Sequence, residues 1–330
     1  MNDNIDFVIP WVDGSDIDWL KEKNKYSENK TNIDNRDIRY RDWGLLKYWF
    51  RGVEKFAPWV NNVFFVTYGH LPKWLNTNNP KLKIVNHWDF IPHEYLPTFS
   101  SIPIELNFHR IKGLSEQFVY FNDDVFLINS VKKEEFFKNG VPRDLAVINR
   151  PFPNDKTYDS NVNSVLFELN HNFNKKNVIK NNLTKWLNIN YGNLNFRTLL
   201  GLPWPKFIGL YYEHTSNNFL KSTYEKVWKI EYENLNETCL HKFRQPNDIN
   251  QYIFKDWQRM EGNFIPRKKI GRSIVISENY KLARKIIENQ EFKEIALNDG
   301  DFDPSKFDEY KKGLIESFEK ILPDKSSFEK

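Results

Sequence analysis

The chain has 330 residues, with Lys+Arg 48 against Asp+Glu 44, 16% aromatic side chains and a single cysteine. Trp 11, Tyr 15 and Phe 27 exclude a disordered chain despite a mean hydropathy of -0.68, and Cys239 alone excludes an internal disulfide framework or an all-cysteine zinc site. A net charge of +4 with basic and acidic residues interleaved speaks against a nucleic-acid partner. No apolar run is long enough to span a bilayer and no basic-then-apolar leader opens the chain, so a soluble, reduced, cytoplasmic protein is expected.

In chain order, residues 5–12 form an apolar, β-branched run that stops at Asp13-Gly14-Ser15-Asp16, which predicts a buried strand feeding a loop. Residues 21–38 are polar and read as a surface loop. Leu45, Leu46, Trp49, Phe50, Val53 and Phe56 recur at helical spacing up to Pro58. Residues 62–67 and 82–85 read as further strands, and 102–111 as a helix closed by Gly113. Strands joined by helical crossovers predict a mostly parallel α/β sheet buried on both faces.

Residues 118–127 are apolar on both sides of Asn122-Asp123-Asp124, so two carboxylates fall where a core strand emerges. A further short strand is expected at 145–148. After Arg150 the chain turns Asn-rich and helical over 160–230. Phe307, Tyr310, Leu314, Phe318 and Ile321 give 304–322 an amphipathic helical pattern, which suits packing on the body or contact with a membrane surface.

Ligands of parallel α/β sheets bind beyond the carboxyl ends of the strands, where both acid clusters fall. Two readings stand for Asp13 and Asp16: a ligand-facing pair, or a turn in which an Asp caps the next helix. Asp123-Asp124 needs a partner, either a structural Arg or a hard cation of the Mg²⁺ type that keeps positions for phosphate oxygens. Arg39, Arg41, Arg110 and Arg244 are candidate phosphate contacts, and His109 and His214 candidate bases. No glycine-rich dinucleotide or P-loop motif and no serine elbow occurs.

Several stretches together resemble the motif blocks of the Stealth family of sugar-phosphate transferases. They are IDFVIPWVDGSD from Ile5, RYRDWGLLKY from Arg39, VTYGHLPKWL from Val66, ELNFHRIKGLSE from Glu105 and YFNDDVFL from Tyr120. Looser third and fourth blocks lie over 159–225, including Arg197 and His214, and at FRQPND from Phe243. The chain departs from the family in having Gly44-Leu45-Leu46 without the usual acid and His214-Thr215-Ser216 without the usual proline.

The resemblance implies a GT-A-like, Rossmann-like core over 1–150, a helical lobe over 151–265 that completes the site, and a helical tail over 266–330. It implies transfer of a hexose-1-phosphate, such as an N-acetylhexosamine-1-phosphate from UDP-GlcNAc, to a glycan or lipid-linked oligosaccharide hydroxyl. On that reading Asp123, Asp124 and Asp248 hold Mg²⁺ or Mn²⁺. Asp13, Gly14, Ser15, Arg39, Arg41, Asp42, Glu105, Arg110, Asn122 and Arg244 bind substrate. His214 is the general base, with Asp16 or His109 as substitutes. A lipid-linked acceptor suggests peripheral membrane contact through the C-terminal helix. An ordinary glycosyltransferase and a non-catalytic glycan-binding protein are the competing classes.

Overall fold

A computed structural model describes residues 4–27, 42–150, 156–300 and 303–330; Arg39 and Arg41 lie outside them. Five strands form the central sheet in the order β3-β2-β1-β4-β8: β1 (Ile5–Trp11), β2 (Val63–Thr67), β3 (Leu82–Asn86), β4 (Gln117–Tyr120) and β8 (Asn217–Leu220). The first four are parallel, and β8 runs antiparallel to β4, pairing Tyr120 with Asn217.

The uninterrupted apolar runs follow from burial on both faces. Phe7, Ile9, Val63, Phe65 and Val119 enter one core, while Val8, Phe64, Val66, Phe118 and Tyr120 enter the other. Helices cover each face: α1 (Ile17–Ser27), α2 (Leu46–Phe56) and α3 (Ser101–Leu106) from the first half of the chain, then α4 (Lys156–Asn172), α5 (Lys175–Asn181), α6 (Leu183–Trp186), α7 (Asn195–Gly201), α8 (Lys221–Ile230), α9 (Tyr232–Leu240) and α10 (Tyr252–Met260). This is the expected α/β architecture, a mostly parallel sheet flanked by helices, with a helical second half.

The expected strand over 118–127 is broken. β4 ends at Tyr120, and β5 (Val125–Leu127) belongs to a second sheet, so Asn122-Asp123-Asp124 forms the crossing between the two. That second sheet also corrects the reading of the tail. Residues 266–330 contribute β10 (Gly271–Val275) and β11 (Glu294–Asn298), parallel to each other and joined by α11 (Ile276–Asn289), with β11 antiparallel to β5. A small third sheet joins β6 (Phe137–Lys138), β7 (Val141–Asp144) and β9 (Ile265–Pro266).

The last helix, α12 (Phe307–Ile321), spends its apolar face on the core. Leu314, Phe318 and Ile321 are buried in the cluster that holds α2, Tyr48 stacks on Phe318 at 5.4 Å, and Tyr310 stacks on Tyr280 at 4.1 Å. Arg51 of α2 fixes the end of the chain, donating to Glu329 at 2.9 Å and to the Leu322 carbonyl at 2.8 Å. The apolar side of α12 is therefore closed to a membrane. Among the described residues no helix is long and apolar enough to cross one.

Residues 145–148 do not join a strand ladder. Their backbone is satisfied largely by side chains, with the Ala146 N–H on the Tyr191 hydroxyl at 3.2 Å and the Ile148 N–H on Thr198 at 3.2 Å. A single bridge pairs Ile148 with Leu210. Around it the Tyr211 N–H donates to the Val147 carbonyl at 2.9 Å and the Asn149 N–H to the Gly209 carbonyl at 3.1 Å, so backbone pairing here is confined to one short bridge.

Candidate active site

From β1 the chain returns to the sheet on one side as β2 and later on the other side as β4. The carboxyl ends of β1 and β4 therefore flank a topological switch point, where a crevice opens between diverging loops. Because β8 is antiparallel, its amino end reaches the same edge. That places His214, three residues ahead of β8, opposite Asp124, which follows β4. The His214 Nε2 lies 2.8 Å from Asp124 Oδ2 and 3.1 Å from Oδ1.

The electrostatics of this group are unbalanced. Asp123 is exposed at its tip, but protein packed around its carboxylate strips water from it and raises its pKa to about 7, and the neighbouring Asp124 and Asp42 carboxylates push the same way. Burial alone would lower the His214 pKa, but Asp124 outweighs it, with Asp123 and Glu105 adding, and the net shift is upward. Among the described residues neither Asp123 nor Asp124 forms an ion pair with Lys or Arg. Two adjacent carboxylates short of positive charge, open to solvent, fit a hard cation that shares its coordination with phosphate oxygens.

The His214 segment is held from two directions. Ser216 donates its hydroxyl to Glu294 of β11 at 2.6 Å and its N–H to the same carboxyl group at 3.1 Å. The buried Lys255 ammonium donates to Asn217 at 2.9 Å and lies 3.4 Å from Asp144, which also pairs with the buried Arg259 at 2.8 Å. Arg259 pairs in turn with Asp256 at 2.9 Å. A charge network of this kind, fully enclosed, fixes a position more than it stabilises a fold.

A second chain of contacts lines the crevice. The Tyr120 hydroxyl lies 2.9 Å from Glu105 and bonds Asn122; Ser101 hydrogen-bonds Glu105, and Arg244 donates to the Ser101 hydroxyl at 3.1 Å. Burial raises the Glu105 pKa, against the pull of Ser101 and Arg244. The structure thus gathers Glu105, Asn122, Asp123, Asp124, His214 and Arg244, with Asp42 close enough to act on Asp123.

Asp13 and Asp16 lie at the same sheet edge, but each commits one oxygen to its own turn. Asp13 Oδ1 accepts from the Ser15 N–H and hydroxyl at 2.9 and 2.6 Å. Asp16 Oδ1 accepts from the N–H groups of Asp18 and Trp19 at 3.1 and 2.8 Å, capping α1. The Asp13 N–H donates to His70 Nε2 at 2.7 Å, which leaves His70 its proton on Nδ1, 3.8 Å from Asp16 Oδ2. Gly14 and Ser15 form the tip of this turn, Gly14 half-buried and Ser15 exposed.

Three expected residues stand elsewhere. His109 packs against Tyr224 and Trp228, and burial lowers its pKa to about 3, with Arg110 and Lys221 adding. Lys221 follows the far end of β8, so His109 sits at the sheet edge opposite Asp124. Arg110 lies over the Trp228 ring at 5.2 Å and donates to Asn107 at 2.8 Å in that same region. Asp248 bonds His241 at 2.7 Å and the Gln245 N–H at 2.7 Å, closing the loop that carries Arg244. Among the described residues no three His, Cys, Asp or Glu side chains gather as a metal site, so Asp248 does not join Asp123 and Asp124.

Sequence reasoning missed His70, Tyr120, Lys255 and Glu294. Tyr120 and His70 stand inside the quoted motif blocks, and that position was their signal; Lys255 and Glu294 carry none. Surface hollows of 450 Å³ beside Phe167 and His241 and of 410 Å³ beside Phe64 and Lys83 both leave out the acid pair.

Two family models match the chain: Stealth protein conserved region 1 over residues 3–31 and Stealth protein conserved region 2 over residues 39–144. The capsular polysaccharide phosphotransferase WcwK of Streptococcus pneumoniae is 41% identical over 99% of this chain and 98% of its own length. The exopolysaccharide phosphotransferase cps2G of Lactiplantibacillus plantarum is 40% identical over 99% and 96%. The receptor polysaccharide phosphotransferase WefC of Streptococcus gordonii is 36% identical over the full length of both chains. Among solved structures, apo mouse xyloside xylosyltransferase 1 overlaps 89% of this chain and 98% of its own at a TM-score of 0.37 and 9% identity, a likeness from which no conclusion follows.

Proposed function

Since this chain belongs to the Stealth family of bacterial polysaccharide phosphotransferases, we propose that it moves a hexose-1-phosphate from a nucleotide sugar onto a glycan hydroxyl. The observation that carries the reading is the meeting of Asp123, Asp124 and His214 at the switch-point crevice. The donor class follows the family resemblance, with UDP-GlcNAc the first to be tried.

In the reaction the acceptor oxygen forms a bond to the phosphorus that bears the donor sugar. The bond from that phosphorus to the nucleoside phosphate oxygen breaks, nucleoside monophosphate leaves, and the anomeric C–O bond stays intact. Asp124 holds the His214 ring through Nε2, so Nδ1 is the atom left to take the acceptor's proton. Glu294 and Lys255 keep the segment around His214 in place while that proton moves. Arg244, anchored on Ser101, supplies positive charge for the donor diphosphate.

Asp123 and Asp124 would hold Mg²⁺ or Mn²⁺, which when bound neutralises phosphate charge. The reading is tested by supplying a panel of nucleotide sugars with a polysaccharide acceptor and identifying the nucleotide released. Nucleoside monophosphate together with a phosphodiester ³¹P resonance in the glycan supports it. Nucleoside diphosphate would make the protein an ordinary glycosyltransferase, and no turnover with any donor would leave glycan binding.

A further inference from the structure

The apolar face expected on α12 is buried, but another apolar face is not. Ile189, Phe196, Leu199, Leu200 and Trp204 are 92%, 67%, 46%, 78% and 56% exposed. Phe196, Leu199 and Leu200 share one side of α7, whose other side is seated by Thr198 and Gly201 against Ile148. A Cβ at Gly201 would meet Ile148 at 2.4 Å, so the inner side of the helix lies as close as the backbone allows. Ile189 adjoins the amino end of α7, where Asn188 and Asn195 exchange two hydrogen bonds.

The charge carried by this segment has one sign. Between Phe173 and Tyr212 the chain carries Lys175, Lys176, Lys180, Lys185, Arg197 and Lys206 and neither Asp nor Glu. Of these, Lys176, Lys180, Arg197 and Lys206 are exposed. Lys175 is buried, and its ammonium donates to the carbonyls of Gly201, Leu202 and Trp204 at 2.6, 3.2 and 2.6 Å. Three protons meet three carbonyls, and the loop they fix displays Trp204 between two prolines. Burying an ammonium is costly, so this clamp rigidly presents an aromatic ring to the outside.

We propose that α7 and the Pro203–Pro205 loop form a docking face for an anionic lipid bilayer. Exposed Trp, Phe and Leu inserted at the headgroup boundary, on a segment whose charged residues are all Lys and Arg, are the composition that such a surface selects. Residues 207–213 lead directly from this loop to His214, and Lys269 ties Tyr211 to Glu213 beside it. Docking therefore brings the crevice to an acceptor carried on a lipid, which rests on the phosphotransfer reading, whereas the docking itself does not.

The test is co-sedimentation of the full chain with vesicles of phosphatidylglycerol mixed into phosphatidylcholine, without substrates, beside vesicles of phosphatidylcholine alone. Binding at least tenfold stronger to the anionic vesicles is expected, weakening with salt. The combined variant F196S/L200S/W204S should lose at least tenfold while keeping its melting temperature, and neutralising the exposed lysines of α12 should change nothing. Equal binding by wild type and variant, or no binding by either, overturns the proposal. A wild-type dimer in light scattering that the variant dissolves, without vesicle binding, would assign the face to a second copy instead. Because no substrate is present, failure here leaves phosphotransfer standing.

Discussion

Two acid clusters share the carboxyl edge of one sheet, and their surroundings are opposite. Around Asp13 and Asp16, backbone N–H groups and the Ser15 hydroxyl occupy one oxygen of each carboxylate, and His70 sits between the two residues. Around Asp123 and Asp124, among the described residues, the only basic side chain paired with them is His214, and the Asp123 pKa is driven up to about 7 by crowding and by its neighbour. A carboxylate at a strand end belongs to chemistry when the fold leaves its lone pairs unspent. The first cluster builds a turn; the second waits for charge.

If that contrast holds, Asp124→Asn should produce the largest loss. Transfer is expected to fall by about 10³-fold or more, because charge stabilisation at the phosphoryl group and the orientation of His214 go together. Asp13→Ala should cost less than about tenfold in the same nucleotide-release assay, since a turn can relax without moving the reacting groups. Equal losses in the two variants would erase the distinction between the clusters.

His214→Gln comes next, with an expected loss of about 10²- to 10⁴-fold in the rate of transfer. Its pH behaviour separates a base from a structural ring. The raised pKa predicts that in chelator-treated protein the His214 imidazole titrates above its ordinary 6.5, and that Asp124→Asn moves the midpoint down as burial is left less opposed. Proton NMR of the ring Cε1–H reads both values. A base must be neutral, so the wild-type rate should climb with pH through the raised midpoint; a flat profile would leave the ring a structural role.

Much of this was legible beforehand, and the reasons are physical. Strands buried on both faces announce themselves as apolar runs, and β1, β2 and β3 were found within a residue or two of their ends. Asp123-Asp124 stood out because charge between Phe121 and Val125 needs an explanation. The tail strands were hidden because β10 alternates Gly271, Arg272, Ser273 and Ile274, a pattern too mixed to separate from a loop. His109 and His214 are chemically alike in sequence. Only the antiparallel return of β8 brings His214 to a residue 90 positions away, while His109 goes to the opposite edge. The face of α12 shows the same limit: amphipathic spacing establishes that a helix has an apolar side, not whether protein or lipid covers it.

The stability of the first cluster gives a smaller, cleaner test. Asp16 caps α1 through two N–H groups, and Asp16→Ala should lower stability by about 1 kcal/mol, or about 2–4 °C in melting temperature. Asp16→Asn should recover most of it, because an amide oxygen still accepts both bonds. A loss that Asn fails to recover would mean that the charge, and not the cap, holds the turn.

The smallest effect has the opposite sign and therefore separates the clusters most sharply. The folded protein holds the Asp123 proton up to about pH 7, whereas an unfolded chain releases it near 3.8. The folded state thus binds the proton more tightly, and wild type loses stability as pH rises from about 4 to about 7. Asp123→Asn removes that loss. In EDTA at pH 8 the variant should melt above wild type, by about 1–2 °C once solvent screening of this accessible side chain is allowed for. Below pH 3.8 the advantage should vanish, because Asp123 is then protonated in both states. Adding Mg²⁺ at pH 8 should reverse the order, since the ion stabilises only the chain that keeps both carboxylates. A variant that melts below wild type in EDTA at pH 8 would show that Asp123, like Asp16, is already satisfied by the fold.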